Sequence, residues 1–130
     1  MTVYLPDTNI LIDAFRDKRG RRGLLSRLVS EGNSLACCDV TIAEIYSGMQ
    51  LHEAPRTDAF LSALVWHNTN RAIARRAGRL RFDYARQGIT LSLPDTLIAA
   101  TALEHGLTLI TANRKDFPMP ELPVHSLEDQ

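Results

Sequence analysis

Short apolar runs alternate with helical periods along most of this chain, and that alternation leaves few folds open. Residues 3–5, Ser34–Cys38 and 107–111 read as strands, with 65–68 and 123–126 as weaker ones. Between them, Thr8–Phe15 carries Ile10 or Leu11, then Ala14 and Phe15, on one side of a helix. Gly20 and Gly23 break the chain before Leu24, Leu25, Leu28 and Val29 form a second helix, which Gly32 stops. Ile42, Ile45, Tyr46 and Met49 fall at helical spacing over 40–49, and Pro55 opens a further helix over 55–64. Asn70 caps a long helix whose apolar face is Ile73, Ala77, Leu80 and Tyr84, ended by Gly88. A last helix runs from Asp95 to about His105, with Gly106 behind it. Strands separated by helices pair in parallel, and right-handed crossovers cover both faces of the sheet. The expected fold is α/β, a three-layer α/β/α sandwich around a central parallel sheet.

At 130 residues, with 45% hydrophobic and 23% charged residues, the expectation is one domain over 1–130 with a core of its own. No run approaches the roughly 20 apolar residues that span a bilayer, and the N-terminus lacks a basic region followed by an apolar stretch. The expected location is therefore the cytoplasm. Cys37 and Cys38 are adjacent, so on a strand they point to opposite faces and read as core thiols rather than a bridge.

The formal net charge is zero, but it is unevenly spread. Arg16, Lys18, Arg19, Arg21, Arg22 and Arg27 stand against Asp17 alone. Arg71, Arg75, Arg76, Arg79, Arg81 and Arg86 stand against Asp83 alone. On the long helix Arg71, Arg75, Arg79 and Arg86 fall within about a quarter-turn at 3.6 residues per turn. Such a stripe reads either as a solvated helix face or as a field that attracts a polyanion.

Leu5-Pro6-Asp7-Thr8 recurs as Leu93-Pro94-Asp95-Thr96, each time before an apolar helical run. Taken singly, each Asp reads as a helix N-cap. In open α/β sheets, however, ligands bind beyond the carboxyl ends of the strands, where Asp7 sits. If Asp95 starts a neighbouring helix, the two acids can share a cation; close carboxylates otherwise repel, and hard oxygen donors suit magnesium or manganese. Glu44 lies opposite the apolar stripe of its helix, which by period alone makes it a solvated residue. Asp116 follows the strand ending near Thr111, where it or Asn113 could equally form a turn.

The motifs Asp7-Thr8-Asn9 with Ile10-Leu11-Ile12-Asp13, Thr41-Ile42-Ala43-Glu44 with Gly48, Asp95 before Ile98-Ala99-Ala100-Thr101-Ala102, and Leu109-Ile110-Thr111 with Asn113, Asp116 and Phe117 occur in that order. In this the chain resembles PIN-domain ribonucleases of the VapC toxin type, nearly end to end. The resemblance implies an endoribonuclease dependent on Mg²⁺ or Mn²⁺, with Asp7, Glu44 and Asp95 as metal ligands. The resemblance places a fourth acid at or near Asn113 or Asp116; Asp116 would fill it, directly or through water, with Asn113 as an alternate contact. It moves Glu44 from the solvated face into the acid cluster. It also makes 88–94 a loop, although Ile89, Leu91 and Leu93 alternate as in a strand. Thr8, Asn9, Thr111 and Asn113 would orient the carboxylates, and Arg71, Arg75, Arg79 and Arg86 would hold the RNA backbone. A cognate VapB-like antitoxin and a homodimer are implied in the same way.

Two other classes use similar features. A haloacid-dehalogenase-like phosphatase also places its nucleophile after a first strand, but wants an acid two residues on, where this chain has Asn9. A non-catalytic RNA-binding module would keep the fold and lose the acids.

Overall fold

The computed structural model describes residues 1–127, so the last three positions of the expected 1–130 domain lie outside the described residues. Its strands are β1 (Val3–Pro6), β2 (Ser34–Cys38), β3 (Val65–His67), β4 (Thr108–Thr111) and β5 (Val124–Ser126). They form one sheet in the order β3-β2-β1-β4-β5, parallel at every pairing. The helices are α1 (Thr8–Phe15), α2 (Arg21–Ser30), α3 (Asp39–Gly48), α4 (Ala54–Ser62), α5 (Arg71–Ala85) and α6 (Leu93–His105).

The pleat explains the layers. Leu5, Ala36, Cys38 and Leu109 point to one face and pack with Ile98, Ala99 and Ala102 of α6 and with Phe117 and Met119. Cys37 and Ile110 point to the other and pack with Ile10, Leu11 and Ala14 of α1 and Leu25 and Leu28 of α2. Adjacent strand residues thus serve opposite cores, as period-2 geometry requires. Cys37 and Cys38 are both free and fully buried, one on each face. The result is the expected three-layer α/β/α sandwich.

The chain leaves β1 toward β2 and β3 on one side, then returns to place β4 on the other. Between β1 and β4 the winding direction therefore reverses, and above the carboxyl ends of that pair a crevice opens. Leu5 pairs with Leu109 and Pro6 with Ile110, so both strands end at the same height, with Asp7 and Thr111 at their tips.

Three local expectations need correction. The second helix begins at Arg21 and runs through Gly23, after Gly20 adopts a left-handed conformation (φ 69°) as its N-cap. Only Gly20 breaks the chain there; a mid-helix glycine weakens a helix without ending it. The last helix begins at Leu93, not Asp95, and its N-cap is Ser92, whose hydroxyl accepts from the Asp95 N–H. Asp95 is therefore no cap. On α3 the expected stripe is only half-buried, and Thr41 is the residue fully enclosed. The segment before α6 is a loop despite its alternation: Leu91 enters the core, while Ile89 and Leu93 remain exposed.

Candidate active site

Asp7 is only 7% exposed and its carboxylate is held at both oxygens. Oδ1 accepts from the backbone N–H of Ile10 at 3.2 Å, capping α1. Oδ2 accepts from Thr111 Oγ1 at 2.5 Å, across the β1–β4 crevice. The Asp7 N–H donates to Ile110 O at 2.9 Å, which extends the ladder one step beyond the strand. The capping expectation thus holds for Asp7, but the cap uses one oxygen and leaves the other to Thr111. Burial pushes the Asp7 carboxyl above the ordinary value. The Thr111 and Ile10 bonds oppose that rise, and the negative charge of Asp95 adds to it.

Asp95 occupies the third position of α6, half-buried. Ser92 takes the capping role, and the Asp95 carboxylate reaches back to it from the third position. Burial raises its pKa most, hydrogen bonding with Ser92 lowers it, and the charges of Asp116 and Glu44 raise it further. Asp95 is therefore the acid within electrostatic reach of the other three, Asp7, Glu44 and Asp116, which arise from three separate segments.

Glu44 is exposed, as its period suggested, yet it is tied to the site. Its Oε1 accepts from Thr8 Oγ1 at 2.6 Å, and Thr8 is the first residue of the helix that Asp7 caps. Thr8 Oγ1 also lies 3.4 Å from the buried Thr41 hydroxyl, linking α1 to α3. Asp116 ends a 3₁₀ turn over Arg114–Asp116 and is half-buried; its N–H donates to Asn113 O at 2.9 Å. Asn113 is exposed, and its N–H donates to Thr111 Oγ1 at 3.0 Å. One buried hydroxyl, Thr111, therefore aligns Asp7 and anchors the turn that carries Asp116. Asn9 reaches Asp7 through its backbone N–H, which favours the charged carboxylate, while the residue itself is exposed.

Thr41 and Ser92 are the positioning residues that sequence reasoning missed. Ser92 had a signal: Ser-x-x-Asp before an apolar run is the spacing of a capping box. Thr41 stood in the Thr41-Ile42-Ala43-Glu44 motif, but a Thr among apolar helix neighbours gives no sign of its contact with Thr8.

Among the described residues, no three His, Cys, Asp or Glu side chains are already gathered into a ligand set. The donor chemistry nevertheless fits a hard divalent cation. The acids are all carboxylates, and Asp7 and Asp95 are both pushed up in part by the charge of neighbouring acids, a repulsion that positive charge between them relieves. Arg71, Arg75, Arg79 and Arg86 are all exposed, along α5 and at its C-cap, and none is among the charges that shift Asp7 or Asp95. Arg79 is paired with Asp83 at 2.9 Å.

A PIN domain family model matches residues 4–119. The chain is 35% identical to ribonuclease VapC19 of Mycobacterium tuberculosis over 91% of its own length and 95% of that protein's. Among solved structures it is similar to a chain of a toxin–antitoxin complex from Klebsiella pneumoniae, at 36% identity and a TM-score of 0.80, covering 97% of this chain and 99% of that one. It is also similar to a chain of VapBC2 from Rickettsia felis bound to a promoter DNA fragment, at 25% identity and a TM-score of 0.83, covering 98% and 100%. A match over most of the chain, on a parallel sheet that carries Asp7 at its reversal point, makes this chain a member of the PIN-domain family, among the VapC ribonucleases.

Proposed function

We propose that the chain is an endoribonuclease that uses Mg²⁺ or Mn²⁺ to hydrolyse RNA phosphodiester bonds, and that it acts as the toxin of a VapBC-type pair. The observation that carries the reading is the carboxylate of Asp7, buried at the β1–β4 reversal, fixed at both oxygens, and facing the charge of Asp95. Asp7, Asp95 and Glu44 would hold the cation, with Asp116 contributing directly or through water. Bound there, it would supply Lewis acidity, acidifying the attacking water and drawing charge from a phosphoryl oxygen.

The chain's own residues do the rest. Thr111 and the Ile10 N–H fix the plane of the Asp7 carboxylate before substrate arrives, so little reorganisation is needed. Thr8 holds Glu44 beside the same helix start. The exposed arginines of α5 would attract the RNA backbone, making binding steeply salt-dependent. The phosphatase reading lacks the acid it needs, since the residue two beyond Asp7 is the exposed amide Asn9. A VapB-like antitoxin is proposed from the toxin–antitoxin complexes in which similar chains occur, and a homodimer from family resemblance. No helix among the described residues is long and apolar enough to cross a membrane, and a cytoplasmic site of action remains the proposal.

The test is RNA cleavage by the purified chain with Mg²⁺ or Mn²⁺, with EDTA, and with Asp7→Asn. Loss of cleavage with EDTA and in the variant, with circular dichroism unchanged, supports the reading. Equal cleavage in every condition overturns it, and RNA binding without cleavage by the native chain favours the binding-module alternative.

A further inference from the structure

The solvent face of α5 carries a feature that the acid cluster does not use. Phe82 is 55% exposed, the guanidinium of Arg86 lies 5.5 Å from its ring centroid, and that of Arg79 lies 6.0 Å away. One turn earlier stands Gly78, in mid-helix. A Cβ built there would meet nothing within 4 Å, so neither packing nor backbone conformation asks for glycine. Glycine in such a place costs a helix about 0.5–1 kcal/mol relative to alanine. It leaves bare backbone beside the phenyl ring. Open grooves run on both sides of this spot. One, of about 700 Å³, is lined by Arg75, Arg76, Gly78, Arg79 and Phe82. The other, of about 360 Å³, is lined by Gly78, Arg81, Phe82 and Thr90 and reaches Leu93, two residues before Asp95.

An exposed aromatic face, a flat shelf beside it and several guanidinium groups together fit one kind of ligand. A base stacks on a ring or a guanidinium plane whatever its identity, and the phosphate beside it takes the positive charge. Charge decides between this ligand and a second copy of the chain. A two-fold contact through this face would bring Arg75, Arg79 and Arg86 against their own copies, with Asp83 the acid on this stretch of helix and already paired to Arg79. A polyanion has no such conflict. We propose that Phe82 and the bare helix surface at Gly78 form a stacking platform for an unpaired base of single-stranded RNA, beside a groove lined by Arg75, Arg76 and Arg79. The proposal rests on the ribonuclease reading for its substrate, and its test is independent of cleavage. In a duplex the bases are stacked within the helix, so the platform selects single-stranded or looped RNA.

The experiment measures binding of a short, unstructured, fluorescently labelled RNA by fluorescence anisotropy in Mg²⁺. The host is the full chain carrying Asp7→Asn, with a duplex RNA of similar length in parallel. Phe82→Ala is expected to weaken single-strand binding about tenfold and duplex binding little. Phe82→Trp should restore it, and Gly78→Gln, which fills the shelf, should weaken it. In the native background Phe82→Ala should raise KM with kcat little changed. Phe82 is a surface residue, and circular dichroism checks that the fold persists. Equal single-strand binding by Phe82→Ala overturns the proposal. So does unchanged RNA binding accompanied by a loss of self-association in sedimentation, which would make this face a contact between copies. Phe82-dependent binding without cleavage by the native chain would sink the ribonuclease reading and leave the platform; cleavage with Phe82-independent binding would do the reverse.

Discussion

At the scale of single residues, Thr111 is the clearest dependency of the site. It is fully buried, donates to Asp7 Oδ2 and accepts from the Asn113 N–H. Thr111→Val keeps the shape, removes the donor that fixes Asp7 and leaves the Asn113 N–H without its acceptor. Activity is expected to fall about 10- to 100-fold, with a stability loss of about 1–3 kcal/mol from the unpaired groups. Thr111→Ser should recover most of both, by cleavage assay and urea melt; full activity in Thr111→Val would remove this hydroxyl from the account. Residue chemistry was only partly legible beforehand. Asp7 and Asp95 were marked by their repeated Leu-Pro-Asp-Thr setting. Glu44 was not, because a side chain that faces a site opening has the same period as one that faces bulk water. What distinguishes it is the Thr8 hydroxyl 2.6 Å away, a contact 36 residues distant in the chain.

At the scale of elements, the start of α6 decides how Asp95 is presented. Ser92 caps the helix, Pro94 sits in its first turn where a missing N–H is harmless, and Asp95 follows with its carboxylate hydrogen-bonded to Ser92. Ser92→Ala is expected to cost about 1 kcal/mol of stability and to lower cleavage as well, because the first turn of α6 would fray beneath Asp95. A thermal melt and a kcat measurement on the same preparation separate the two effects, and unchanged kcat would show that the cap serves only the helix. The same start explains why reading Asp95 as a cap failed: both residues are good caps, and the Ser-x-x-Asp spacing gives Ser92 the outer place. Elsewhere, β3 and α6 meet through His67 and His105, whose rings lie 4.1 Å apart. Burial holds the His67 pKa below the ordinary value near 6.5, and the positive charge of His105 lowers it further. The unfolded chain therefore binds this proton more readily than the folded one. The contribution of His67 is complete above about pH 6.5 and is lost as pH falls through the folded value. Melting temperature should decline from about pH 7 to about pH 5 more steeply in the native chain than in His67→Gln. Parallel curves for the two would rule this pair out as a source of acid sensitivity.

At the scale of the whole molecule, one topological fact organises the rest: the reversal between β1 and β4. The alternation of strands and helices made the parallel sheet legible, and strand ends were found within a residue or two because Pro6, Gly32 and Gly106 punctuate the chain. Strand order was not legible, since local pattern carries no information on which neighbour a strand takes. Once β4 lies beside β1, Asp7 and Thr111 become partners across 104 residues, and segments as far apart as Glu44 and Asp116 act on Asp95. The neutral net charge conceals an uneven spread, with Arg71, Arg75, Arg76, Arg79 and Arg81 along α5 and Asp83 as the acid of that helix. The central claim is that this crevice holds a divalent cation between Asp7 and Asp95. Titration of Mn²⁺ into the purified chain, with free Mn²⁺ followed by electron paramagnetic resonance, tests it without recourse to RNA. Saturable binding that weakens about tenfold or more in Asp7→Asn and in Asp95→Asn is the expected result; equal binding by the native chain and both variants would contradict it.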